Sequence, residues 1–234
     1  MEKLVLKLKS IPFFSAYSKD LTKSKSNLLK LIACITMFID HTGFLFFPQK
    51  PLLRIIGRIA FPIFAYQVAV GFWHTSDHKR YLKRLLIFAI ISQYPFYLMT
   101  GDVELNVIAT FFFAALCLYF FKNSWYILII IPLGISYFVP MDYGLYGVLA
   151  VLTFYYFYKK PILQLVGFSV LTIIFSNLNG WQIQLYSVLS VVLILLVRII
   201  PVNFEFKLNK YFFYWFYPVH MLFLVFVGKL LGYS

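Results

Sequence analysis

LLKLIACITMFIDHTGFLFF, residues 28–47, decides the fold. Its 20 residues match the length of a helix that crosses a bilayer, and only Lys30, Asp40 and His41 interrupt its apolar character. Similar stretches recur at about 52–74, 82–100, 105–121, 124–140, 143–158, 161–177, 181–200 and 211–231. Nine such stretches absorb roughly 180 residues, leaving short connections and no room for an extramembrane domain. Transmembrane strands are excluded by pattern, because the runs are continuous rather than alternating apolar and polar. The expectation is an all-α, polytopic integral membrane bundle of about nine helices. Composition agrees: 62% of the 234 residues are hydrophobic and 12% charged, with mean hydropathy +0.84. Soluble domains carry about 25% charged residues, so a soluble enzyme or an ordinary nucleic-acid-binding domain is excluded.

The formal net charge is +13, from 21 basic and 8 acidic residues. In a membrane protein this excess is a topology signal rather than a nucleic-acid footprint. Counting with the N-terminus inside, Lys3, Lys7, Lys9, Lys19, Lys23, Lys25 and Lys30 fall on one side. Lys79, Arg80, Lys83, Arg84, Lys122, Lys159, Lys160, Arg198, Lys207 and Lys210 join them. Lys50, Arg54, Arg58 and Lys229 fall on the other side, with Asp102, Glu104 and Asp142. The expected orientation is therefore N-terminus in and C-terminus out, in the cytoplasmic membrane. Residues 1–26 form a basic arm suited to an anionic lipid surface, and 27–234 form the bundle. Met1–Ser10 alternates Leu or Val with Lys and lacks the apolar core of a signal peptide. Cys34 and Cys117 stand alone within spans and give no metal-ligand spacing.

Ionisable residues at membrane depth are costly, and each marks a candidate site. Lys30 and His41 are eleven residues apart, three turns plus about 20°, so they share a helix face with Cys34 and Met37, about 16 Å apart along the axis. Asp40 faces about a third of a turn away. Arg54 and Arg58 share a face at i,i+4, and Arg54 can alternatively reach the outer surface. Pro62 cannot donate to the carbonyl of Arg58, which predicts a kink there. An Asp40–Arg58 ion pair is the simplest way to bury both charges. His220 lies near mid-membrane, one turn after Tyr217, and Pro218 frees the carbonyl of Tyr214. Packed histidine and catalyst both remain open for it. Asn106, Asp142 and Tyr143 fit solvated caps at outer ends, and Gln93 fits a hydrogen bond inside the bundle.

At these residues the sequence resembles the TraX family, whose founding members acetylate the N-terminus of conjugative pilin. The matching stretches are LKLIACITMFIDHTGF (29–44), IGRIAFPIFAYQVAVGFWHT (56–75), YLKRLLIFAIISQYPF (81–96), DYGLYGVLAVLTFYY (142–156) and FYWFYPVHMLFL (213–224). The family is similar to a wider set of membrane acyltransferases that carry a basic residue, usually Arg, about three turns before a first-helix histidine. Lys30 stands there, keeping the charge but not the bidentate geometry. The resemblance implies acyl transfer from acetyl-CoA, the donor substrate, to an amine or hydroxyl of an extracytoplasmic protein or glycan. It implies His41 as general base with Asp40 and Arg58 at the catalytic centre, and Lys30 and Arg54 on the donor. Tyr217, His220 and Asp142 fall to the acceptor side. Neither a metal nor a nucleic-acid partner is expected. A transporter or flippase for a lipid-linked or small polar molecule would also bury Asp, Arg and His, but no two-fold repeat is visible. A scaffold within a secretion or conjugation apparatus leaves the buried charges without a purpose.

Overall fold

The computed structural model describes residues 20–201 and 209–232. Expectations for most of the N-terminal arm and for Lys207 lie outside the described residues. The order is α1 (Lys23–Phe46), α2 (Pro51–Gly57), α3 (Ala60–His74), α4 (His78–Thr100) and α5 (Val107–Lys122). A 3-10 turn (Tyr126–Ile129) then leads into α6 (Ile130–Phe138), followed by α7 (Gly144–Tyr156) and α8 (Pro161–Asn179). A second 3-10 segment (Gln182–Val188) leads into α9 (Leu189–Ile199), and α10 (Lys210–Leu230) completes the bundle. No strand occurs among the described residues, and each of the nine apolar stretches coincides with one helical rod. Five rods are long and apolar enough to cross a membrane: α1, α2 with α3, α8, the second 3-10 segment with α9, and α10.

Local chemistry sets the boundaries. Thr22, Asp77, Asn106 and Asn209 cap α1, α4, α5 and α10 through side-chain oxygens that accept backbone N–H groups. Pro51 and Pro161 occupy first-turn positions, where no N–H is needed. Gly101 and Gly180 close α4 and α8 in the left-handed region, at φ 76° and 68°. The rod at 51–74 breaks over Arg58 and Ile59, one turn before Pro62, as the missing N–H requires. α1 begins at Lys23, earlier than its apolar run, and residues 20–26 pack onto the bundle rather than lying apart. Thr22 supplies the cap, Leu21 N donates to Tyr158 Oη, and Lys25 Nζ donates to the carbonyl of Arg198. Outside the helices, Lys159 holds the Asp20 carboxyl below its usual range through a 3.0 Å contact.

Contacts between Lys25 and Arg198, His74 and Tyr158, and Lys122 and His78 gather the basic connections at one end of the bundle. Most of α3 is buried, against only 28% of the apolar window of α8, so α3 is the axis and α8 belongs to the rim. Large apolar side chains such as Ile90, Phe138, Leu178 and Phe226 point outward, a surface that water would not tolerate but lipid does. Arg198, assigned by sequence to a basic connection, is a correction. It is 3% exposed, donates to Tyr66 Oη at 2.7 Å and lies over the ring of Tyr158.

α1 and α2 approach so closely that a Cβ on Gly57 would overlap the carboxylate of Asp40. Gly57→Ala should therefore lower stability by about 1–3 kcal/mol, read by thermal unfolding in detergent. Gly134→Ala, inside α6 where an added Cβ meets nothing within 4 Å, should instead raise it by up to about 1 kcal/mol.

Candidate functional site

The Asp40 side chain sits between two guanidinium groups. Arg58 Nη2 donates to both carboxylate oxygens, at 2.8 and 2.7 Å, and Arg54 Nη1 donates to Oδ2 at 2.8 Å. Arg54 Nη1 also lies 3.3 Å from the Asp40 carbonyl. This clamp absorbs Arg54, which does not snorkel away and lies apart from Lys30. The remaining Arg58 donors reach the carbonyl of Arg54, Tyr143 Oη at 3.3 Å and Gln184 Oε1 at 3.5 Å. Arg58 is thus committed to Asp40 and the frame around it, and its guanidinium does not line either cavity described below.

Tyr143, expected as a solvated cap, instead joins the frame around Arg58. It precedes α7 with φ 64°, a strained conformation for a bulky side chain. Its ring stacks on Phe61 with centroids 3.7 Å apart and planes 5° from parallel. A short bridge holds its turn: Leu105 N donates to the carbonyl of Pro140, and Asp142 N donates to that of Leu105. Thr110 Oγ1 secures the Asp142 carbonyl. Asn106 does cap α5, but it is fully buried rather than solvated. Its amide donates to the Ala89 carbonyl and Gln93 Oε1, while Gln93 Nε2 donates to the Glu104 carbonyl.

α1 and α10 bring His41 and His220 together, although 179 residues separate them in sequence. His220 Nδ1 is 2.7 Å from the carbonyl of Phe216, which can only accept, so this nitrogen carries the proton. Nε2 of neutral His220 is then an acceptor, and His41 Nδ1, 2.7 Å away, must be the donor. Neutral His41 is thereby fixed in the tautomer whose Nε2 bears a free lone pair. Ring centroids 4.9 Å apart with planes 10° from parallel place the two imidazoles edge to edge in nearly one plane.

Two cavities meet beside this pair. The larger, about 340 Å³, opens among Lys30, His74, Thr75 and Arg84 at the basic end. The smaller, about 40 Å³, is bounded by Asp40, His41, Gly57, Asp142 and Tyr143. Met37, Phe64, Val107, Phe111 and Tyr217 line both, forming a neck between a basic mouth and the His41 chamber. The stripe from Lys30 through Met37 to His41 follows this route, while Cys34 is buried outside it. Lys30 lies over the ring of Phe213. His220 is not part of the lining and meets the chamber through His41. Sequence reasoning missed Gln67 and Arg84. Tyr81, Arg84 and Leu85 share a helix face on the cavity, a spacing that marks Arg84 as more than a topology charge. Among the described residues, no group of three or more His, Cys, Asp and Glu side chains could hold a metal ion.

The geometry defines a helical membrane protein with a histidine pair and a doubly clamped carboxylate beside the smaller of two adjoining cavities. The chain belongs to the TraX family: the model described as "TraX protein" matches residues 25–228. A relative in Dichelobacter nodosus, "Probable fimbrial assembly protein FimC, serogroup H1", is 29% identical over 229 residues, covering 82% of this chain and 91% of that protein. "Uncharacterized protein RP591" of Rickettsia prowazekii (strain Madrid E) is 32% identical over 108 residues, covering 44% of this chain and 42% of that one. No solved structure matches.

Removing one partner from a buried charge cluster leaves the others uncompensated, at a cost of about 3–5 kcal/mol. Arg58, with its side chain 12% exposed, should show that full cost on Arg58→Ala; Arg54, at 29%, should cost distinctly less on Arg54→Ala. Unfolding midpoints of the two variants check the order. In the turn before α7, burial and then the Glu104 carboxylate push Asp142 up to about 7, against partial relief from Arg58 and Arg54. Such a group destabilises the fold as pH rises from its unfolded value of 3.8 through about 7. Asp142→Asn should therefore raise the melting temperature relative to the parent chain at pH 8, and much less at pH 4.

Proposed function

We propose that the chain is a membrane-embedded acyltransferase that moves an acetyl group from acetyl-CoA to an amine or hydroxyl presented at the opposite end of the bundle. The acceptor is a pilin-like N-terminus or another cell-envelope component, in keeping with the family and with the fimbrial name of the Dichelobacter relative. One observation carries this reading: a histidine with a free Nε2 lone pair stands where a passage from the basic end reaches a small polar chamber. Excess positive charge at that end supports a cytoplasmic placement, and the reading takes nine crossings with the N-terminus in and the C-terminus out.

Lys30 and Arg84 attract the donor's phosphates at the mouth. The cavity volume is at the small end of ligand pockets, which run from about 300 to 1,000 Å³, so it takes the donor's arm while the nucleotide stays outside. The thioester reaches the neck at Met37 and Tyr217. An acceptor amine or hydroxyl enters the chamber past Asp142 and attacks the thioester carbon as His41 Nε2 removes its proton. His220 accepts from His41 Nδ1 and so keeps the lone pair on Nε2. Tyr143 Oη, receiving a hydrogen bond from Arg58, keeps its proton and offers it as a hydrogen bond to the developing oxyanion. Collapse breaks the carbon–sulfur bond, and the thiolate takes from His41 the proton that left the acceptor, giving CoA thiol, neutral His41 and the acetylated acceptor. Asp40 fixes Arg58, and Arg54 completes the clamp.

Transfer of labelled acetyl from acetyl-CoA in membranes tests the assignment. His41→Ala should lose at least about 10²-fold in rate. His220→Ala should lose less, and His220→Asn, which restores an acceptor for His41 Nδ1, should recover part of it. Full activity in His41→Ala would remove the assigned base. Thermal stabilisation by CoA separates this reading from a transporter, which has no use for that ligand.

A further inference from the structure

Gln67 lies on α3 within the wall of the larger cavity and is 8% exposed. Its Oε1 accepts a hydrogen bond from Ser26 Oγ at 2.7 Å. The two N–H donors of Nε2 are then left buried, with no partner among the described residues. Tyr81, on the same lining, has its hydroxyl donating to the Val68 carbonyl at 3.2 Å and does not serve Gln67. Buried donors are almost always satisfied, and an orphan within the wall of a cavity calls for an acceptor brought by a ligand. The acceptor should be neutral, since Gln67 is uncharged and the cations that suit phosphate, Lys30 and Arg84, stand elsewhere on the lining.

Position along α3 narrows the choice. Gln67 is three residues, about 4.5 Å of rise, on the mouth side of Phe64 in the neck, and seven residues, about 10 Å, from His74 at the mouth. The arm of coenzyme A carries a secondary amide set back from the sulfur by two carbons, a span comparable with one helical turn. With the thioester in the neck, the carbonyl of that amide falls level with Gln67. We propose that Gln67 is a donor-binding residue whose Nε2 donates to the amide carbonyl nearest the sulfur in the arm of acyl-CoA. This rests on the acyltransferase reading and adds the part of the donor that the site recognises. Ser26 is a positioning residue that keeps the amide nitrogen turned into the cavity.

Two truncated donors test it: S-acetyl-N-acetylcysteamine, which keeps that amide, and S-pentyl thioacetate, which replaces it with an alkyl chain. Acetyl transfer by the full chain in membranes should favour the first in kcat/KM by about tenfold, the worth of one good hydrogen bond. In Gln67→Leu the ratio should fall to about one, and KM for acetyl-CoA should rise more than kcat falls. Gln67→Glu keeps an acceptor for Ser26 while removing both N–H donors; it should lose the preference too, and it serves if the leucine variant does not fold. An undiminished preference in a folded, active variant would overturn the role of Gln67 and leave the acyltransferase reading intact. Absence of transfer from acetyl-CoA by the unsubstituted chain would overturn both.

Discussion

A single carboxylate, Asp40, shared by two guanidinium groups inside the bundle, fixes the relation of α1 to α2 and α3. Ionised groups at membrane depth are tolerated only when paired, so the pairing dictates which helix faces meet. It also dictates the close approach at Gly57, since the carboxylate occupies the space a Cβ would need. Arg58 extends the constraint to Tyr143 and Gln184, tying α7 and the second 3-10 segment to the same point. The break over Arg58 and Ile59 turns the guanidinium toward Asp40, and Pro62 makes that break cheap. Around this node the remaining helices pack by apolar contact and a few buried hydrogen bonds, such as Asn106 to Gln93 and Arg198 to Tyr66.

The neighbouring residue serves another purpose. Asp40 and His41 point to different faces of α1: one is locked by arginines, the other stands in the chamber and leans on His220. A carboxylate clamp beside an imidazole pair separates structure from chemistry at the level of adjacent residues. The stripe from Lys30 to His41 then follows from helix periodicity, because Lys30, Met37 and His41, spaced by seven and four residues, line one wall. Tyr143, held in a left-handed conformation by Phe61 and the bridge at Leu105, presents its hydroxyl to the same chamber. Backbone strain of this kind persists where the surrounding contacts over-determine it.

Much of this was legible in the sequence because charge is scarce there. The apolar runs located the rods, proline and glycine located their ends, and the cost of burying Arg58 and Asp40 led to their pairing. Lys30 and His41 fell on one face by spacing alone. What escaped depends on contacts between distant segments. His220 stays open between packed histidine and catalyst until α10 meets α1 and brings it onto His41. Tyr143 looked like a cap because its backbone conformation is a tertiary consequence. Arg198 was counted with the surface bases, since hydropathy does not reveal that Tyr66 and Tyr158 enclose it. Gln67, an uncharged residue in an apolar run, gave no signal until its partner Ser26 and the empty space beside it were both in place.

The most direct measurement of the passage is photolabelling in membranes with a CoA thioester whose acyl end carries a photoactivatable group, followed by mapping of the modified residues. Label on Met37, His41, Phe64 or Tyr217, displaced by excess acetyl-CoA, is the predicted result. Label confined to the connections at the basic end, or insensitive to acetyl-CoA, would contradict a donor path that ends at His41.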